Sequence, residues 1–274
     1  MLLAIDIGNT HLVAGIFDGE VLSTHWRLST QRERTSDELA AFLQVAFDSH
    51  RLHFSEITGV AISSVVPSLT PQAALLARQY FHLEPLVVGK DTKTGLINEY
   101  DNPAEVGADR LVNALAAWHK YSGACIIADF GTATTVDAVS SDGRYLGGAI
   151  APGLQISTDA LFQAAARLPR VELAPPPNGN TLATNTAASM QAGIVYGYGG
   201  LVRELVTRCI VEVREKERLL AEERGDGKPG EIFVLATGGL AELIAPLVAE
   251  IQSVEPNLTL DGLRLLWNQS QQGN

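Results

Sequence analysis

Asp6-Ile7-Gly8-Asn9-Thr10 places a carboxylate at the end of an apolar run and follows it with a glycine, an amide and a hydroxyl. Glycine tolerates a strained turn and lets a ligand approach the backbone. The turn can therefore offer N–H and O–H donors to phosphate oxygens while Asp6 faces a hydrated magnesium ion. A plain hairpin turn capped by Asp6 would look the same. A second copy, Asp129-Phe130-Gly131-Thr132-Ala133-Thr134-Thr135, lies 123 residues further on, counted from Asp6 to Asp129. Two facing turns of this kind could clamp a polyphosphate from both sides, with a nucleotide held between two similar domains.

Asp109 is the next candidate. Asn102 can cap a helix that starts at Pro103, with Glu105 as its capping-box partner and Ala108, Leu111, Val112 and Leu115 as its core stripe. Asp109 would lie beside that stripe in the second turn, followed by Arg110. The pair can be a solvent-facing couple of charges. Alternatively Asp109 reaches a cleft as a general base and Arg110 meets an anion; a base must come within about 2.6–3.2 Å of the hydroxyl it activates. Gly147 to Gly153 reads as a tight connection from a strand to a helix, and Ala236-Thr237-Gly238-Gly239 ends a strand with glycines that could lie under a nucleotide's base or sugar or simply turn the chain. GxxxxGK[ST], HExxH and clustered Cys/His patterns are missing from the sequence, GxGxxG follows no first strand, and the six histidines have no metal-ligand spacing.

The elements that carry these residues repeat. Leu2 to Leu22 and Cys125 to Leu146 each run apolar strand, Asp-turn, second strand, Asp-Gly hairpin (Asp18-Gly19, Asp142-Gly143) and third strand. Duplication explains the shared order better than coincidence, and it implies two related domains, 1–121 and 122–274, each opened by a three-stranded meander. Helices are expected over Ser36 to Phe47, Pro71 to Tyr80, Pro103 to Lys120, Leu154 to Ala166, Thr184 to about Glu223, Gly239 to Val248 and Leu258 to Trp267. Strands are expected over Ile57 to Ile62, Leu86 to Val88 and Ile232 to Ala236. The Pro103 helix is placed to bridge the halves, Pro169 to Thr181 is a loop, Glu222 to Gly230 an exposed turn, and Asn268 to Asn274 a loose tail. Meanders with helices on their faces make a mixed α/β fold.

Composition bounds the rest. The 274 residues are 46% hydrophobic, enough for a substantial core, and the formal net charge of −11 argues against broad nucleic-acid binding. Cys125 in an apolar run and Cys209 on a helical pattern read as buried free thiols, which fits a reducing compartment. MLLAIDIGNT lacks a basic leader region, and no run of eighteen apolar residues occurs, so a cytoplasmic protein that does not enter a membrane is expected.

In order along the chain, the Asp6–Thr10 turn, Gly107-Ala108-Asp109-Arg110, Asp129-Phe130-Gly131-Thr132, the Gly147–Gly153 stretch and Thr184-x-Thr186-Ala187-x-Ser189-Met190-Gln191-Ala192-Gly193 resemble the type III pantothenate kinase family. The resemblance runs from residue 2 to about residue 268. It implies two ribonuclease-H-like domains of the acetate-kinase/Hsc70/actin superfamily and transfer of the ATP γ-phosphate to the 4′-hydroxyl of pantothenate, the first step towards coenzyme A. It further implies a homodimer, Mg2+ with ATP, and a monovalent cation, K+ or NH4+. Carried over by position, Asp6, Ile7, Gly8, Asn9, Thr10, His11, Leu12 and Val13 surround the ATP phosphates, with Asp6 near magnesium. Thr132 contacts ATP, Asp129 binds the monovalent cation, and Asp109 is the general base. Tyr100, Gly107, Ala108, Asp109, Arg110 and Thr184 contact pantothenate, Thr184 across or near the dimer interface.

Overall fold

A computed structural model of the chain describes residues 1–89, 91–225 and 230–272. In chain order the strands and helices are β1 (Leu2–Ile7), β2 (His11–Asp18), β3 (Val21–Ser29), α1 (Ser36–Ser49), β4 (Gly59–Ser64), α2 (Thr70–Tyr80), β5 (Leu86–Val87), β6 (Ile97–Asn98), α3 (Ala108–Tyr121), β7 (Ala124–Phe130), β8 (Ala133–Val139), β9 (Arg144–Pro152), α4 (Leu154–Ala164), α5 (Thr186–Arg224), β10 (Ile232–Thr237), α6 (Ala241–Ile244), β11 (Ser253–Val254) and α7 (Leu258–Gln272). None of the helices among the described residues is long and apolar enough to cross a membrane.

The strands form two sheets, ordered β3-β2-β1-β4-β5 and β11-β10-β7-β8-β9-β6. Read from the meander inward, the second sheet repeats the first: an antiparallel three-stranded unit whose opening strand then pairs in parallel with a later strand. Gly19 and Gly143 turn the two Asp-Gly hairpins at φ of +60° and +80°, a region that favours glycine. The repeat seen in the sequence is thus a repeat of topology.

The chain packs as two compact units. Residues 1–96, 101–116 and 257–274 make the first, and residues 97–100 and 117–256 the second. In the first, Leu3, Ile5 and Ile7 of β1 join Val60 and Ile62 of β4 against Leu39, Leu43 and Phe47 of α1 and Leu76 of α2. Each large side chain so buried contributes about 1.5–3 kcal/mol. A capping box between Thr35 and Glu38 starts α1. The terminal helix α7 packs on β1 and β4, so it belongs to this unit and not to the C-terminal one that a cut at 121/122 implies. Its close seat explains why: Gly59 leaves room for the Trp267 ring, where a Cβ would come within 2.3 Å of Cζ2. Helix α7 also runs on to Gln272, past the expected start of a loose tail. In the second unit Ala124, Ile126, Ala128 and Phe130 of β7 face Val195, Tyr198, Val202 and Val206 of α5. This 39-residue helix begins behind the Asn185 cap and ends at Gly225, φ +75°.

Three expected elements differ. The Pro103 helix is split: Pro103–Glu105 forms a separate 3-10 turn and α3 begins only at Ala108. Gly147 to Pro152 continue β9, and Gly153 caps α4. The helix expected over Gly239 to Val248 is a single turn followed by a 3-10 turn, Ala245–Leu247, because Pro246 has no N–H to continue the ladder. Of the expected turn Glu222 to Gly230, Glu222 to Arg224 still belong to α5 and Gly225 caps it, while residues 226–229 lie outside the described residues, as do the last two positions of the tail.

Candidate active site

In the first unit, Asp6 stands one residue before the end of β1, half-buried, with Val13 on one side and Ser63 on the other in strand register. Alternation sends Ile7 and Leu12 into the core, so these two can meet a ligand only through their backbones. Asn9, Thr10 and His11 are exposed at the turn, which the Gly8 N–H closes by donating to the His11 carbonyl at 2.9 Å. Partial burial, and then the positive charge of Arg27, holds the His11 imidazole below its usual pKa.

Gly107 and Asp109 meet at the start of α3. The Asp109 Oδ1 accepts the N–H of Arg110 at 2.8 Å, and a Cβ on residue 107 would lie 2.5 Å from that same oxygen. Glycine is what lets the carboxylate fold over the helix start. Asp109 therefore sits in the first turn, at the positive end of the helix dipole, and not in the second turn expected from a start at Pro103. Asn102 spends its side chain locally, accepting the Ala104 N–H at 3.3 Å and donating to Glu105 at 2.8 Å. Asp109 is half-buried and Arg110 is 7% exposed, so the pair is not a solvent-facing couple of charges. One turn on, buried Asn113 accepts the Thr259 hydroxyl at 2.8 Å, tying α3 to α7.

In the second unit, Asp129 occupies on β7 the place Asp6 has on β1, with Thr135 and Thr237 as register neighbours. Backbone crowds around it. Gly238 lies at φ +90°, and a Cβ there would come within 2.5 Å of Asp129 Oδ1. Thr132 is half-buried in the β7–β8 turn. A Cβ on Gly153 would strike the Thr132 carbonyl oxygen at 2.1 Å, so the start of α4 rests directly on that turn. Buried Tyr198 of α5 supports the same place: its hydroxyl lies 2.7 Å from Thr134 Oγ1 and donates to the Pro152 carbonyl at 2.8 Å.

Tyr100 follows β6, which pairs with β9. Its ring lies 6.4 Å from that of Tyr145. Tyr145 is fully buried and donates at 2.6 Å to Asp137, a buried carboxylate that also accepts the Thr135 hydroxyl at 2.8 Å. Glu99 pins the strand by ion pairs to Arg144 at 2.9 Å and Lys216 at 3.0 Å. Burial pulls the Glu99 carboxyl upward, but the two cations outweigh it and hold it below the usual range. Thr184 is exposed just ahead of the Asn185 cap.

Within the first unit, then, the Asp6 turn and the Gly107–Arg110 start of α3 are formed. Within the second, Asp129, Thr132, Tyr100 and Thr184 are carried by β7, its turn, the β6 strap and the approach to α5. Sequence reasoning missed the supports: Asp137, Tyr145 and Tyr198 sit at strand and helix positions whose apolar periodicity hides a polar task, and Glu99 lies just after the two-residue strand β6. Of the thiols, Cys125 is buried as expected and burial pushes it up to about 12, whereas Cys209 is only partly covered. Among the described residues no group of three or more His, Cys, Asp or Glu is placed to hold a metal ion.

The sequence model of one family, type III pantothenate kinase, matches residues 2–208. The type III pantothenate kinase of Geobacter sulfurreducens is 51% identical over 272 residues, covering 99% of this chain and 100% of its own. That of Pelobacter propionicus is 50% identical over 270 residues, covering 98% and 100%. That of Moorella thermoacetica is 47% identical over 270 residues, again covering 98% and 100%. Among solved structures, a conserved putative Baf family transcriptional activator from Campylobacter jejuni superposes with a TM-score of 0.58 at 16% identity, covering 98% of this chain and 99% of its own. Component A of the (R)-2-hydroxyglutaryl-CoA dehydratase of Acidaminococcus fermentans does so with 0.51 at 13% identity, covering 100% and 99%. Both likenesses concern the fold alone.

Proposed function

The chain belongs to the type III pantothenate kinase family and is an ATP-dependent pantothenate kinase of coenzyme A biosynthesis, and on that premise we propose how its residues divide the transfer. The observation that carries the function is identity of about one half to such kinases across essentially the whole length of both chains. The fold is the expected α/β one of the acetate-kinase/Hsc70/actin superfamily, built on two ribonuclease-H-like sheets.

Phosphoryl transfer needs alignment and charge stabilisation more than covalent chemistry from the protein. In our reading Asp109 orients the 4′-hydroxyl of pantothenate and accepts its proton as that oxygen bonds to the γ-phosphorus and the bond to ADP breaks. At the helix start the positive end of the dipole faces its negative charge. Gly107 and Ala108 offer backbone beside it, Arg110 meets the pantothenate carboxylate, and Tyr100 and Thr184 complete the substrate contacts. Asp6 to Val13 and Thr132 hold the ATP phosphates, Ile7 and Leu12 through backbone only. A single half-buried carboxylate at a strand end fits Mg2+, which keeps most of its water and takes its other ligands from phosphates; bound there, the ion would offset phosphate charge. Asp129, closely wrapped by the backbone of Gly238, fits a singly charged K+ or NH4+, and such an ion would neutralise a carboxylate close to the Thr132 turn. The enzyme works as a cytoplasmic homodimer. Supporting the dimer, α4 and α5 form an apolar groove of about 500 Å3 lined by Leu154, Leu161, Met190, Ile194 and Leu201, with Leu161 and Leu201 exposed at its rim.

The test is ATP-dependent formation of 4′-phosphopantothenate, followed by mass spectrometry with Mg2+ and with K+ present or replaced by Na+. Product that needs K+ is expected. Product formed equally in both salts would remove the cation role from Asp129, and no product in either would point to another acceptor alcohol.

A further inference from the structure

The turn between β1 and β2 is held from outside itself. Thr30, the first residue after β3, reaches it at two points. Its Oγ1 donates to the Gly8 carbonyl at 2.7 Å, and its N–H donates to the Thr10 carbonyl at 2.9 Å. In a trans peptide the C=O and the following N–H point in opposite directions. Drawing the Gly8 carbonyl towards Thr30 therefore turns the Asn9 N–H away from Thr30, on an exposed turn where an anion can accept it. The second bond fixes the far end of the turn, so the Gly8–Asn9 peptide cannot flip by rocking the turn as a whole.

Thr30 is itself anchored. Two residues later the Arg32 carbonyl accepts the Ser68 hydroxyl at 2.9 Å, and five residues later Thr35 caps α1 with its capping box. The connection is tied at both ends and Thr30 cannot drift after a moving turn. Ser or Thr is required for the first bond, because an aliphatic side chain of the same shape has no donor.

We propose that Thr30 is a positioning residue for ATP: its hydroxyl holds the Gly8 carbonyl so that the Asn9 amide faces the phosphates, and it sets ATP affinity without touching the nucleotide. The inference rests on reading Asp6 to Val13 as the phosphate turn. It is tested by steady-state kinetics of the full-length enzyme carrying Thr30→Val, Thr30→Ala, Thr30→Ser or Asp6→Asn, with ATP and pantothenate varied separately. Thr30→Val should raise the KM for ATP about fivefold, as losing one hydrogen bond worth ~1 kcal/mol would. The KM for pantothenate should stay within about twofold, and Thr30→Ser should keep the parent value for ATP, since it restores the donor. Thr30→Ala gives the same reading if the valine variant does not fold. A KM for ATP unchanged in both folded variants, or raised equally by serine, would overturn the positioning role. Asp6→Asn separates the two ideas: a changed ATP dependence there with a silent Thr30→Val sinks only the inference, whereas no change in either removes the phosphate-turn reading with it.

Discussion

Asp109 shows how much a residue's neighbours decide. As a letter in the chain it has two readings, surface charge or base. The glycine two positions earlier and the late start of α3 settle its placement, with the carboxylate folded over the first turn beside buried Arg110. If Asp109 is the base, Asp109→Asn should lower kcat by about 10²–10⁴-fold, the usual worth of general acid–base catalysis. The thermal midpoint should move little, because asparagine keeps the shape and can still accept the Arg110 N–H. Turnover within about threefold of the parent, by the same mass-spectrometric assay, would reject the role. Residue type alone also overstates the Asp6–Val13 turn as a ligand surface, because the side chains of Ile7 and Leu12 belong to the core.

At the scale of elements, the stretch Gly147 to Gly153 is the instructive case. Its glycines suggest a loop, but the structure continues β9 to Pro152. The glycines are there for close approach. Gly148 faces Asp137 across the β8–β9 pair, and a Cβ on it would lie 2.1 Å from the Val136 carbonyl oxygen and 2.8 Å from Asp137 Oδ1. A side chain there must push the strand away from the carboxylate that holds Tyr145, and Tyr145 lies under Tyr100. Gly148→Ala should therefore destabilise the enzyme by about 2 kcal/mol or more, within or above the usual cost of overpacking, read as a lower thermal midpoint. The surviving folded enzyme should show a raised KM for pantothenate. A midpoint unchanged within error would mean the strands part more easily than their contacts suggest.

At the scale of the whole molecule, the duplicated sheet order accounts for the two Asp turns, each at the end of a strand central to its sheet. Helices α4 and α5 carry an open apolar groove with Leu161 and Leu201 exposed at its rim. Light scattering should give about twice the 29.3 kDa chain mass, and Leu201→Arg, at the rim of the groove, should shift the enzyme towards the monomer because an unpaired charge cannot be buried there without a cost of several kcal/mol. A parent protein of single-chain mass would remove the dimer.

Much of this protein was legible in its sequence. The two meanders could be read because strand alternation and Asp-Gly hairpins are local signals, expressed within a few residues. Their recurrence, with Asp6 and Asp129 in matching places, made the duplication visible, and the order of five motifs carried the family. What the sequence could not supply depends on contacts made across long stretches of chain. The terminal helix joins the first sheet because Gly59 and Trp267 fit each other, more than two hundred residues apart. Helix α3 starts at Ala108, and not at the proline that looked like its first residue. Asn102 and Glu105 are locked in a turn of their own. The supports, from Thr30 just after β3, which holds the Gly8 carbonyl, to Asp137 on β8, which holds Tyr145, are polar side chains whose local pattern gives no sign of a partner. Their partners are chosen by tertiary packing, which no local window of sequence records.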